Sequence, residues 1–326
     1  FKYEDVDADG DYDPAVDVPA AGVVFNLTGT DGQGNDVSAT ATSDAEGNVD
    51  FTGLVPGNYT LAETVPAGWL SSTSTSRSLT LASGEEHVAQ GGQAQLSAND
   101  RQHEVVVGTD LEFGNTILAS IHGVKFEDND ANGIYNENID LPLAGVSFDL
   151  TGTDGMGNDV ALTAITDGNG FFDFSALIAG DYTVTEIVPD GFVATTPTTF
   201  NVTLQSGEEW VAFAGQADLQ PGDPRREVVV GSYLMFGNTV PGSIHGFKYE
   251  DVDANSAYDP AVDRLVAGVT FDLTGTDGQG NTVNLSVITN NAGEFAFTGL
   301  LAGSDTVSER APTGGVGGRA RYNAKT

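Results

Sequence analysis

Three residue types recur at one spacing and together carry the parts of a spontaneous amide bond. Lys2, Lys125 and Lys248 are 123 residues apart, and the chain holds one further lysine, Lys325. Glu63, Glu186 and Glu309 keep the same interval, as do Asn115 and Asn238. A lysine desolvated in an apolar core loses its proton more readily and becomes a nucleophile. It can attack the side-chain carbonyl of an asparagine and expel ammonia, while a nearby buried glutamate shuttles protons and polarises that carbonyl. Such a reaction runs once per domain, so it is maturation and not turnover, and no enzyme activity is expected. The candidate bonds are Lys2–Asn115 with Glu63 and Lys125–Asn238 with Glu186; the asparagine that would serve Lys248 falls beyond Thr326. The competing reading is a conventional Lys–Glu pair beside a structural asparagine.

A second constellation is acidic. Asp5, Asp7, Asp9, Asp11, Asp13 and Asp17 follow the first lysine, and Asp128, Asp130, Asn132, Ile134, Asn136 and Asp140 follow the second. Calcium takes six to eight oxygens, and D-x-D-x-[DN]-G supplies them at loop positions 1, 3 and 5, with glycine at the sharp turn. Position 7 (Asp11 or Ile134) offers a backbone carbonyl, position 9 is Asp13 or Asn136, and the closing carboxylate falls one residue later than in an EF-hand. The third copy has Asp251, Asp253, Asn255, Asp259 and Asp263, but Ser256 replaces the turn glycine. No helical stripe flanks these loops, so the expected cofactor, calcium (Ca2+), would sit on strands. The alternative is a solvated acidic turn. Asp31-Gly32-Gln33-Gly34-Asn35-Asp36 is a weaker cation candidate, better read as a glycine-rich hairpin tip.

Both constellations ride on a 123-residue tandem repeat. Thr28-Gly29-Thr30-Asp31-Gly32 returns at Thr151 and Thr274 without a gap, and Phe113-Gly114-Asn115-Thr116 returns at Phe236. Alternating segments such as Gly145-Val146-Ser147-Phe148-Asp149-Leu150 and Tyr182-Thr183-Val184-Thr185-Glu186 are separated by Gly- and Asp-rich turns. The pattern predicts an all-β fold of tandem immunoglobulin-like β-sandwiches. The expected domains are repeat 1 over residues 1–117, repeat 2 over 118–240 and a partial repeat 3 over 241–326. An anomalous tail is expected from about residue 304, where Ser304-Asp305 replaces Asp181-Tyr182 and cations gather. Only Val240-Pro241-Gly242-Ser243 separates one repeat from the next strand, so a stiff rod is expected.

Composition narrows the function. A net charge of −35 over 326 residues argues against nucleic acid, because phosphate binding needs clustered Lys and Arg. Cysteine is absent, which excludes disulfides and thiolate metal sites. No apolar run is long enough to span a membrane in this segment.

Gly123-Val124-Lys125-Phe126-Glu127-Asp128 through Gly170-Phe171-Phe172 to Glu186 resembles the SdrD B-like repeats of bacterial surface adhesins. Tyr59-Thr60-Leu61-Ala62-Glu63-Thr64-Val65-Pro66-Ala67-Gly68-Trp69 is similar to the E-box of CnaB-type pilin and adhesin domains. The resemblance implies calcium-stiffened immunoglobulin-like sandwiches acting outside the cell, and a Lys–Asn isopeptide bond with the glutamate as catalyst. The expected function is a secreted or cell-surface stalk or filament subunit that self-associates into fibres or forms a tandem rod. The alternative is an adhesin module that binds a glycan or host protein.

Overall fold

The computed structural model describes residues 1–94, 104–217 and 227–310, and the backbone of 321–325. Strands dominate, and the only helical elements among the described residues are single 3₁₀ turns such as Thr109–Leu111. None of the described helices is long and apolar enough to cross a membrane.

The second repeat shows the architecture most fully. One antiparallel sheet runs Asp159–Ile165, Ser147–Asp154, Gly180–Glu186 and Thr199–Leu204. The opposing sheet is organised around the nine-residue strand Ala119–Glu127. That strand pairs antiparallel with Phe171–Leu177 and parallel with both Glu208–Val211 and Met235–Thr239. Alternation buries Phe148 and Leu150 from the first sheet against Ile121, Val124, Phe172 and Phe236 from the second. Phe148 stacks on Phe172 with ring centroids 3.9 Å apart, and Phe236 meets Phe148 edge-on at 4.9 Å. An aromatic cluster of this kind dominates a small core, and truncating Phe148 to alanine would cost about 3–5 kcal/mol.

The first repeat copies the arrangement. Asp36–Thr42, Val24–Asp31, Gly57–Thr64 and Ser76–Leu81 form one sheet, and Val18–Pro19, Lys2–Glu4, Phe113–Ile117 and Trp69–Ser71 form the other. Its core gathers Val23, Phe25, Leu27, Tyr59, Leu61 and Phe113. The third repeat places Phe271 and Leu273 against Phe295 and Phe297.

The expected departure at residue 304 is smaller than the sequence suggested. Gly303–Glu309 stays in full register with Thr270–Asp277, pairing Phe271 with Glu309 as Phe148 pairs with Glu186. Backbone pairing tolerates the foreign side chains, because ladder hydrogen bonds do not depend on them. The cost is local: Asp305 takes the place of Tyr182, whose hydroxyl donates to the Ile178 carbonyl at 2.8 Å, and Asp305 Oδ1 is buried without a hydrogen-bond partner. Arg321–Lys325 pairs with Gly242–Phe247. Residues 311–320 and Thr326, the rest of the expected anomalous tail, lie outside the described residues.

Candidate functional site

The parallel pairing of the first and last strands of a repeat brings the recurring lysine and asparagine together. Lys2 is in register with Phe113 and Glu4 with Asn115, so lysine and asparagine sit two residues apart on neighbouring strands. Lys125 aligns with Phe236 and Glu127 with Asn238 in the same way. The glutamate arrives from the other sheet, at the end of Gly57–Thr64 or Gly180–Glu186.

All three groups are shut off from water. Lys2, Lys125, Asn115 and Asn238 are each 0 % exposed, and Glu63 and Glu186 are buried. Lys2 Nζ lies 3.2 Å from Glu63 Oε2 and donates to the Phe113 carbonyl at 2.9 Å. Asn115 Nδ2 donates to the same glutamate oxygen at 3.4 Å. In the second repeat Lys125 Nζ is 3.3 Å from Glu186 Oε1 and donates to the Phe236 carbonyl at 2.9 Å. Asn238 Nδ2 reaches Glu186 Oε1 at 2.6 Å. The carbonyl oxygens of both asparagines are buried and accept no hydrogen bond.

Burial pulls the Lys2 ammonium down to about 8, opposed by the charge and hydrogen bond of Glu63, and Lys125 falls to about 8 for the same reason against Glu186. Burial also raises the Glu63 carboxyl above the usual range, held back by Lys2 and Asn115. The site thus makes the lysine easier to deprotonate than in water, beside a carbonyl that lacks a partner. Lys248 meets Glu309 at 2.9 Å, so the third repeat assembles lysine and glutamate alike.

In each acidic loop three of the expected side chains come together. Carboxylate oxygens of Asp5, Asp7 and Asp9 lie within 4.8 Å of one another, as do those of Asp128, Asp130 and Asp140, and of Asp251, Asp253 and Asp263. Backbone in the left-handed region at Ala8 (φ 61°), Ala131 (φ 54°) and Ala254 (φ 56°) folds alternate carboxylates to one side. Gly10 (φ 83°) and Gly133 (φ 76°) complete the turn; Ser256 is held at φ 63°, a conformation that costs a non-glycine residue about 1 kcal/mol or more.

Asp17 and Asp140 act as clamps. Asp17 accepts the amides of Val6 at 2.9 Å and Asp13 at 2.8 Å, and Asp140 those of Asn129 at 3.0 Å and Asn136 at 2.7 Å. Asp263 does the same for Val252 and Asp259. Asp13, Asn136 and Asp259 turn their side chains outward instead, capping the amides of Ala15, Asn138 and Ala261. Asn132 and Asn255 spend side-chain groups on Asp130 and Asp253. Asp11 and Ile134 present their amides to Asp9 and Asn132. Burial, reinforced by Asp17 and Asp7, pushes Asp5 up to about 6, and it raises Asp17 as well. Several carboxylates crowded in this way are the donor set a hard divalent cation neutralises.

The Asp31–Asp36 turn is a self-contained tip. Asp31 accepts the amides of Gln33 at 2.9 Å and Asn35 at 2.8 Å, and takes the Asn35 side-chain amide at 2.9 Å.

Sequence reasoning did not single out Ser206. Its hydroxyl donates to the buried Glu4 carboxylate at 2.9 Å and accepts the Ile117 amide at 2.8 Å, which joins repeat 2 to repeat 1. Nothing in a serine within a Ser-Gly turn announces a partner 202 residues away.

Residues 119–215 match the family of SdrD B-like domains, and residues 12–88 match the SpaA prealbumin-like fold domain. Serine-aspartate repeat-containing protein F of Staphylococcus epidermidis is 25% identical over 96% of this chain and 16% of its own length. Serine-aspartate repeat-containing protein D of Staphylococcus aureus (strain Newman) is 25% identical over 96% of this chain and 22% of its own. This chain therefore spans less than a quarter of those relatives. Among solved structures, the minor pilin GBS52 of Streptococcus agalactiae aligns at 16% identity over 73% of this chain and 93% of its own, with a TM-score of 0.26. The repeats of this chain are thus similar to SdrD B-like domains over residues 119–215 and to the prealbumin-like fold domain over residues 12–88.

Proposed function

We propose that this protein is an extracellular structural element, a calcium-loaded tandem rod that serves as a stalk or fibre subunit at the cell surface, with each complete repeat locked by a Lys–Asn isopeptide bond. The observation that carries the reading is the sealed Lys–Glu–Asn triad, built twice at equivalent positions. Neutral Lys Nζ attacks Asn Cγ, and the N–C bond forms as the carbonyl electrons move to Oδ1. The glutamate takes the proton from Nζ and delivers one to Nδ2, which leaves as ammonia when the carbonyl re-forms. Atoms balance as amine plus primary amide giving secondary amide plus ammonia, with no external reagent.

A bond between first and last strands carries pulling force past the sandwich core. The acidic loops, holding calcium between the first strand and the rest of the repeat, would stiffen the same end. The test is the intact mass of the denatured, EDTA-washed chain. One ammonia missing per complete repeat is expected; a mass equal to that of the sequence overturns the cross-link.

A second reading, an adhesin module, is favoured by one surface feature of repeat 2. Phe200 stacks on Tyr233 at 4.9 Å, with Trp210 at 5.8 Å from Phe200, and Tyr233 is 52 % exposed. The equivalent positions of repeat 1 are Arg77, His87 and Asp110. An aromatic platform suits a sugar face or an apolar side chain of a host protein. Tyr233→Ala abolishing attachment of the chain to host glycans or matrix protein would support it.

A further inference from the structure

The acidic loops and the hairpin tips, two motifs that sequence analysis treats separately, meet across the repeat boundaries. The tip between Ser147–Asp154 and Asp159–Ile165 brings Gly155 against the preceding repeat's loop, where a Cβ would stand 1.8 Å from the Asp7 carbonyl oxygen and 2.9 Å from the Ala8 carbonyl carbon. One repeat later, a Cβ on Gly278 would stand 1.9 Å from the Asp130 oxygen and 2.9 Å from the Ala131 carbonyl. Neither glycine has positive φ, so backbone conformation does not require them; close approach does. Gly32, at the same position of repeat 1, would meet only its own Pro56 carbonyl, at 3.1 Å.

Burial follows the docking. Ala8 and Ala131, at the loop apex under a following tip, are 0 % exposed, whereas Ala254 in the third loop is exposed. The tip is stiff enough to register a surface, because Asp154 accepts the Asn158 amide at 2.8 Å and its side-chain amide at 3.0 Å. A polar contact adds to the second joint, where Gln279 Nε2 donates to the Thr195 carbonyl at 3.1 Å.

We propose that the acidic loop of each repeat is the docking surface for the hairpin tip of the next repeat of this chain, and that the tip glycine, Gly155 or Gly278, is the specificity-determining residue of the joint. The inference deepens the rod reading and rests on it. Backbone-on-backbone contact reads the shape of the loop, not its side chains. A loop that changes shape would therefore redirect the repeat that follows.

The test uses the full chain, whose lack of cysteine allows clean labelling. Spin labels at Ser38→Cys and Ala161→Cys, equivalent exposed sites on repeats 1 and 2, report the inter-repeat distance distribution. In the parent chain it should be narrow; Gly155→Ala should at least double its width with the circular dichroism of the sheets unchanged, and Gly32→Ala should leave it as it was. A narrow distribution that survives Gly155→Ala overturns the joint while the rod stands. A broad distribution in the parent chain overturns both. Equal broadening by Gly32→Ala also overturns the joint, because the effect would then lie within a hairpin. Repeating the parent measurement in EDTA isolates the calcium reading: a width unchanged by chelation sinks calcium stiffening and leaves the glycine joint intact.

Discussion

Asn238 donates its side-chain amide to Glu186 at 2.6 Å across 52 residues of sequence, and its carbonyl oxygen, sealed in the core, accepts nothing. Asn115 and Glu63 repeat the relationship. A buried acceptor without a donor costs about 1–3 kcal/mol, so the arrangement is wasteful as a static hydrogen-bond network. Under the proposed cross-link it is a reactant geometry, in which the glutamate that would carry the proton already holds the nitrogen that would leave.

Glu186→Ala should therefore restore one ammonia to the mass of the chain while leaving the first repeat cross-linked. Closing a loop of about 113 residues removes on the order of 4–5 kcal/mol of unfolded-state freedom, so repeat 2 of the variant should melt well below the parent. Lys125→Arg, which keeps the charge but is a poor nucleophile, should behave alike. Mass spectrometry and calorimetry check both.

Bond formation should depend on pH through the lysine. Burial depresses Lys2 and Lys125 from the usual amine value of 10.5 to about 8. Below pH 8 the amine is protonated, and the rate should rise about tenfold per pH unit before levelling above that point. Before cross-linking, the folded state binds fewer protons than the unfolded chain between about pH 8 and 10.5. The contribution of these lysines to stability therefore increases with pH across that window and is least favourable below it. Time-resolved ammonia loss after refolding at a series of pH values measures the rate directly.

Calcium should load the loops unequally. Ser256 must hold φ 63°, where the first two loops have glycine, so the third loop should bind last, and Ser256→Gly should tighten it by roughly fivefold, about 1 kcal/mol. Isothermal titration of the parent and the variant distinguishes the sites. Free calcium at 100 times Kd would stabilise each loop by about 2.7 kcal/mol, and EDTA should remove that increment.

The third repeat should be the weakest and repairable. Asp305→Tyr would place a ring over Gly275, as Tyr182 lies over Gly152, and replace a buried partnerless oxygen with a hydroxyl that can reach the Leu301 carbonyl. A gain of roughly 1–3 kcal/mol is expected, seen as slower amide exchange across Gly303–Glu309.

Much of this was legible in one dimension because tandem repetition exposes register. The period of 123 residues aligned Lys, Glu and Asn without any structure, and period-2 alternation over residues 145–150 marked a strand. The carboxylate spacing likewise marked the loops, since position within a short turn is a local property that backbone sterics control. Three things were decided only in three dimensions. The parallel pairing that sets Lys2 beside Phe113 and brings Asn115 within reach depends on strands over a hundred residues apart. The division of the loop acids into a converging cluster, the clamp Asp17 and the outward Asp13 depends on which amides each carboxylate finds. The seating of Gly155 on Asp7 depends on how one repeat packs against another. Sequence specifies local conformation and which face of a strand is apolar; contacts between distant backbones follow from the burial of those faces, and a single chain gives no local sign of them.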